Sequence, residues 1–185
     1  MSLQDEALWN GLIDKYYSDN LPLKSLLVLH SSLVARKALA VVDGHPELGA
    51  DRSFVEEAAM LHDIGIFLTD AAPIHCFGTY HYICHGYLGA ELLRREGLPR
   101  HALVAERHTG TGLTLAQIIA RDLPVPHREM VPVSVEEKIV CFADKFFSKT
   151  RPDVEKTVEQ AVRSISKFGD EGVRIFNSWC KEFLQ

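Results

Sequence analysis

Met60-Leu61-His62-Asp63-Ile64-Gly65 sets an imidazole directly beside a carboxylate. Neighbouring residues cannot both point one way along a regular helix or strand. At a helix end the turn relaxes, and the two side chains can converge on one cation. Imidazole nitrogen and carboxylate oxygen together suit Zn, Fe and Mn, and a carboxylate can bridge two such ions. His30, His85, His108 and Asp144 are the other residues of ligand type around this dipeptide. Four His and two Asp are donors enough for a two-metal site, which is the expectation.

Working outward, the pattern is helical almost throughout. Leu27, His30, Val34, Ala38 and Val41 recur at three- and four-residue steps, which puts His30 in the apolar stripe of a helix. Ser53-Phe-Val-Glu56 has capping-box form and predicts a helix whose Val55, Ala58, Ala59 and His62 face inward. Gly65 is expected to end it with a positive φ. His85, Leu88, Gly89 and Leu92 share a face of the next helix, closed by Gly97. A short helix from about Arg100 carries Val104 and His108, with Gly110 after it. Thr114-Leu-Ala-Gln117 opens another, and Ser134-Val-Glu-Glu137 caps one with Val140, Ala143, Asp144 and Phe147 on a stripe. Glu136 and Glu137 are expected to serve that N-terminus, where negative charge meets the helix dipole.

Val154, Val158, Val162 and Ile165 predict an amphipathic helix, as do Val173, Phe176, Cys180 and Phe183. Neither contains His, so both are assigned to packing or to contacts of a homodimer. Residues 66–80 and 121–133 hold Pro and Gly between the ligand segments and are expected to rim a pocket. The fold class is all-α: a single domain over 1–185, with a metal-binding core at about 26–151 and C-terminal helices at about 153–184.

The 185 residues, 46 % hydrophobic and 24 % charged, suit an ordinary globular domain. A net charge of −5 argues against a broad nucleic-acid face. Cys76, Cys84, Cys141 and Cys180 form no Cys-x-x-Cys pair and are expected to be free thiols. The N-terminal Met-Ser-Leu-Gln-Asp-Glu lacks the order of a signal peptide, and no apolar run approaches the ~20 residues of a bilayer span. A cytoplasmic protein without a membrane partner is expected.

A lone His on an apolar stripe is more often a core histidine bonded to a carbonyl than a ligand. Asp144 is different, because a buried carboxylate is costly unless paired or metal-bound. Six such residues, each facing inward or ending a helix, favour a metal site jointly. His45, His101 and His127 lie beside prolines or in turns and are expected to be exposed, whereas His75 and His81 are undecided. His81, one turn before His85, is a candidate substrate contact. Lys145, Lys149 and Arg151 follow Asp144 closely, and Thr109 follows His108. All four are candidates for binding a phosphate, against the plainer reading of surface side chains.

The order His30, His62-Asp63, His85, His108, Asp144 resembles the HD superfamily of metal-dependent phosphohydrolases, in its His-Asp-Ile-Gly variant. His85-Gly-Tyr-Leu-Gly-Ala, Glu106-Arg-His-Thr-Gly110 and Glu136-Glu-Lys-Ile-Val-Cys-Phe-Ala-Asp-Lys145 resemble further segments of that group. The ligand set is similar to that of bacterial HD enzymes that split symmetrical dinucleoside tetraphosphates. The resemblance implies that His30, His62, Asp63 and Asp144 hold one metal. Asp63 would bridge to a second, held by His85 and His108. It implies two divalent ions, Fe or Mn before Zn, Ni, Co or Mg, and catalysis by metal-activated water with Asp63 and Lys145 in the catalytic set. The substrate implied is a small phosphate ester, a nucleotide first. Ile66 stands where cyclic-dinucleotide phosphodiesterases of the superfamily carry Lys, and their Gly-Tyr-Pro motif is absent, which argues against that substrate. A di-iron oxygenase acting on a polyol or phosphonate, and a metal-bearing module without turnover, are the alternative readings.

Overall fold

The computed structural model describes residues 8–185; the acidic N-terminal segment lies outside the described residues. Helix α1 (Leu8–Tyr17) leads into α2 (Leu21–Gly44), which the Asn20 side chain caps by accepting from Leu23 N at 3.1 Å. Leu27, His30, Val34, Ala38 and Val41 are all buried on α2, as the stripe requires. At 24 residues with a mean hydropathy of 1.5, α2 does reach the length and apolarity of a bilayer span. Its apolarity has another use, because it packs against α3 (Arg52–Leu61) and α7 (Val135–Asp144) in the core.

Two details of α3 differ from the sequence reading. Asp51 caps the helix by accepting from Phe54 N at 3.1 Å, so Ser53 already lies inside the first turn. Gly65 has φ −86°, not a positive value. Its glycine is required by packing: a Cβ there would collide with the backbone nitrogen of Gly89 and the carbonyl of His85. The chain therefore crosses α4 (His85–Arg95) at backbone distance.

A turn through Gly97 (φ +77°) joins α4 to α5 (Pro99–Arg107), and the two form the most extensive helix pair. The capping box Thr114/Gln117 starts α6 (Leu115–Ala120), with both of its hydrogen bonds formed. Ser134 caps α7 as expected. Glu137 instead turns inward to Arg107 Nη1 at 2.9 Å and Val133 N at 2.9 Å, and Glu136 accepts from Asp51 N at 3.3 Å.

The penultimate helix, α8 (Val158–Ser166), begins later than the apolar pattern suggests. Thr157 and Gln160 close a capping box at its start, leaving Val154 outside it and exposed. Helix α9 (Asp170–Phe183) packs inside this chain: Phe176 and Phe183 lie 5.4 and 5.3 Å, ring to ring, from Phe142 of α7.

Both loops do rim cavities. Residues 66–80 fold into short 3-10 turns and an antiparallel pair, β1 (Asp70–Ala71) and β2 (Cys76–Phe77). The second loop is held by Leu113–Met130 backbone bonds and by Arg128 on the buried Glu106. All four cysteines are free.

Candidate metal centre

Five of the six candidate ligands occupy helix ends. His62 follows the last residue of α3 and Asp63 the turn after it; His85 opens α4, His108 follows α5, and Asp144 closes α7. His30 comes from the middle of α2. A helix end frees the side chain from the periodic direction of its neighbours, so five separate segments can aim at one point. The turn after α3 is clamped from outside by Tyr17, whose hydroxyl donates to Ile64 O at 2.8 Å.

The convergence is tight. His30 Nε2 lies 3.2 Å from Asp63 Oδ2 and 3.1 Å from Asp144 Oδ1. His62 Nε2 lies 3.1 Å from Asp63 Oδ2 and 3.5 Å from Asp144 Oδ1. The other Asp63 oxygen, Oδ1, faces His85 Nε2 and His108 Nε2, each at 3.4 Å. Two groups able to hold a metal thus share Asp63: His30, His62, Asp63 and Asp144, then Asp63, His85 and His108.

The tautomers follow from backbone contacts. His62, His85 and His108 each donate Nδ1–H to a carbonyl three residues earlier, Ala59 at 2.6 Å, Tyr82 at 2.7 Å and Ala105 at 2.8 Å. A carbonyl accepts only, so each neutral ring turns an Nε2 lone pair inward. His62 Nε2 and Asp63 Oδ1 are buried without a hydrogen bond, while Asp63 Oδ2 has the Lys149 ammonium at 2.6 Å. Buried polar atoms in that state are costly, and a divalent cation satisfies all of them at once. The donor set fits divalent metal ions.

Electrostatics divide the rings. Burial opposes a charge on His62, but the Asp63 and Asp144 carboxylates beside it raise its pKa to about 9, so a cation there would have to displace that proton. Burial pushes His85 down to about 3 and also lowers His108, keeping both as neutral donors. Burial opposes ionisation of Asp63 and Asp144, but Lys149 beside the first and Lys145 beside the second hold both carboxyls well below the usual range. Lys149 Nζ is 2.6 Å from Asp63 Oδ2. Lys145 Nζ is 2.7 Å from Asp144 Oδ2 and donates to His108 O at 3.0 Å, tying two ligand segments together.

Two cavities meet at Asp144. One, of about 470 Å³, runs between the Thr109–Leu113 turn, α6 and α8. The other, of about 530 Å³, lies against Ala71, Ile74, Tyr82 and Lys149. Both are walled by Asp144, Phe147, Lys156 and Phe168.

The profile of the HD domain family matches residues 27–148, the span that carries all six of these side chains. The chain belongs to the HD domain family. Over 152 residues the HD protein is 34 % identical to a tRNA (cytidine(56)-2'-O)-methyltransferase of Picrophilus torridus, covering 77 % of this chain and 40 % of that one. An uncharacterised protein of Methanocaldococcus jannaschii is 34 % identical over 63 % of each chain. A Thermoplasma volcanium protein, also named tRNA (cytidine(56)-2'-O)-methyltransferase, is 31 % identical over 78 % of this chain and 38 % of its own. The HD chain thus spans between 38 and 63 % of the length of these relatives. No solved structure matches it.

Of the proposed substrate contacts, Lys145 and Thr109 line the first cavity and Lys149 the second. His81 is not part of this site: it is exposed, and its ring accepts from Ile83 N at 3.3 Å as a helix cap. Arg151 is exposed on the 148–151 turn and lines neither cavity. His101, expected at the surface, is buried against Phe54 and Glu57 because α5 packs on α3. Lys156 and Tyr17 were not singled out in the sequence. The Thr157/Gln160 capping box, which fixes where α8 starts, was the available signal for Lys156.

Proposed function

We propose that this protein is a metal-dependent phosphohydrolase that cleaves a nucleotide or a related phosphate ester with a metal-activated water. Asp63 carries the reading: its two oxygens face two separate histidine groups at 3.1 to 3.4 Å, the geometry of a carboxylate shared by two ions. Iron or manganese suits this mixture of imidazole and carboxylate. Bound there, such ions supply a water of lowered pKa and positive charge against phosphate oxygens.

The protein's own side chains supply the rest. Buried carbonyl contacts fix the histidine rings, and Lys145 orients Asp144 while presenting its ammonium to the first cavity. Lys149 lines the other cavity and holds its ammonium on Asp63 Oδ2. Cys141, buried on α7 one turn before Asp144, is unsuited to act as a nucleophile. Its thiol donates to the His108 and Gly110 carbonyls, and burial pushes it up to about 12.

A di-iron oxygenase would use the same ligands. The lysines around the two carboxylates favour an anionic substrate, a phosphate ester or a phosphonate, over a neutral polyol. The tRNA methyltransferase name of two relatives supports a nucleotide-type substrate for the shared HD portion, with methyl transfer left to those proteins. The small size of both cavities and the net charge of −5 favour a small substrate over a nucleic-acid chain, in a cytosolic setting.

The test is chromatography of a nucleotide and phosphoester panel after incubation with anaerobically purified, Mn- or Fe-loaded protein. Cleavage that vanishes with Asp63→Ala, together with loss of metal, supports the hydrolase. An unchanged panel would remove that reading and make oxygen the next reagent to add.

A further inference from the structure

Three lysines surround the Asp63–Asp144 pair, and they are not equivalent. Lys145 and Lys149 each contact a ligand carboxylate, at 2.7 and 2.6 Å. Lys156 forms no ion pair among the described residues; its ammonium reaches only the Lys145 carbonyl, at 3.5 Å. It is half-buried, held by its own backbone N–H on Phe146 O at 2.8 Å, and lines both cavities where they meet at Asp144. Burial and the neighbouring lysines work against its charge, only partly offset by Asp144. A partly desolvated cation that forms no ion pair of its own, placed between two cavities, is suited to an anionic ligand.

The first cavity has a distinct chemistry. Ile83, Leu123, Phe147, Ile165 and Phe168 give apolar walls, while Thr109, Thr111 and the Gln117 amide nitrogen add polar groups. Ser164 Oγ and Gln117 Oε1 are already bonded to Gln160 O and Thr114 N. Its volume, about 470 Å³, lies within the range of small-ligand sites. An alkyl chain would offer nothing to the Thr109 and Thr111 hydroxyls or to the Gln117 amide nitrogen. A sugar phosphate alone would leave the apolar walls wet. A heteroaromatic base has apolar faces and a polar edge, which satisfies both.

Resting on the phosphohydrolase reading above, we propose that Lys156 grips the substrate phosphate at the junction of the two cavities, and that the cavity between α6, α8 and the Thr109–Leu113 turn receives a nucleobase. The substrate is then a nucleoside phosphate whose phosphate lies at Asp144 and whose base points away from the metal ligands.

The experiment is calorimetric titration of Mn-loaded protein with AMP, GMP, CMP, UMP, ribose 5-phosphate and inorganic phosphate. At least one nucleotide binds about tenfold or more tightly than ribose 5-phosphate, as base stacking in an apolar site provides. Lys156→Met weakens nucleotide and ribose 5-phosphate alike by about tenfold, and Lys156→Arg recovers most of it. Ser164→Phe, which fills the cavity from α8, abolishes the nucleotide advantage and leaves ribose 5-phosphate unchanged. Equal binding of nucleotides and ribose 5-phosphate overturns the base site, and unchanged affinity in Lys156→Met overturns the phosphate grip. Cleavage of esters without these binding differences would remove this inference and leave the hydrolase standing. The differences without any cleavage would do the reverse.

Discussion

The Nε2 atoms of His85 and His108 lie 3.1 Å apart, although the Nδ1–H of each ring is already donated to a backbone carbonyl. Two neutral imidazoles in this arrangement point lone pairs at each other. A proton between them would relieve the repulsion, but burial pushes His85 down to about 3 and leaves little proton affinity there. A metal ion relieves it without that penalty. On the two-ion site proposed above, His85→Ala is expected to lower the metal content of the purified protein by about one ion, read by elemental analysis. His30, His62 and Asp144 would still hold the first ion. An unchanged content would remove His85 from the ligand set.

The contact between Gly65 and Gly89 gives a second expectation. Gly65 has an ordinary right-handed φ of −86°, so alanine carries no backbone strain there. The collision of its Cβ is with backbone of α4, which no rotamer change relieves. Gly65→Ala should lower stability by about 3 kcal/mol or more and shift His85 relative to Asp63, reducing metal affinity as well. Gly89→Ala, whose Cβ would meet Gly65 N at 3.0 Å, should cost less. Thermal unfolding of the two variants checks the order; equal and small losses would show that the helices can separate freely.

The candidate ligand set was legible from the order His30, His62-Asp63, His85, His108, Asp144 and its likeness to the HD superfamily, and only two of its members also stand out against an apolar stripe. His30 interrupts the stripe of α2 and Asp144 that of α7, and only a shared partner makes both tolerable in the core. Gly65 was legible as a glycine but not as a contact, since its partner Gly89 is 24 positions away and the sequence does not give crossing distances. His101 was misread for a related reason: Pro99 signals a turn, but α5 starts at that proline and buries the ring against α3. Asp51 outcompeted Ser53 as the cap of α3 because a helix start has several candidate acceptors, and backbone angles choose between them.

Tyr17 offers a test of support from outside the ligand set. Its hydroxyl is buried and donates at 2.8 Å to Ile64 O, one residue beyond Asp63. Tyr17→Phe keeps the ring against Phe67 but leaves that carbonyl without its donor. The expected cost is about 1–2 kcal/mol in urea unfolding, the usual consequence of an unpaired buried group. If the bond also positions Asp63, the variant should bind Mn more weakly by several-fold when both proteins are folded. Lost stability with unchanged metal affinity would make Tyr17 a packing residue alone.

His101 supplies a pH dependence separate from the metal ligands. Its ring is buried edge-on to Phe54 with Nε2 3.1 Å from Glu57, and burial outweighs that carboxylate, so its pKa is lowered on folding. The unfolded chain then binds the proton more readily than the folded one below the unfolded value of ~6.5. Its contribution to stability is therefore fully present above that pH and is lost as pH falls through the lowered folded pKa. His101→Gln retains a donor for Glu57 but does not titrate. Its urea-unfolding free energy should decline less steeply than that of the parent between about pH 7 and pH 5, and the difference between the two curves isolates His101 from the ligand histidines common to both. Parallel curves would mean that Glu57 compensates the charge fully, whatever the burial of the ring.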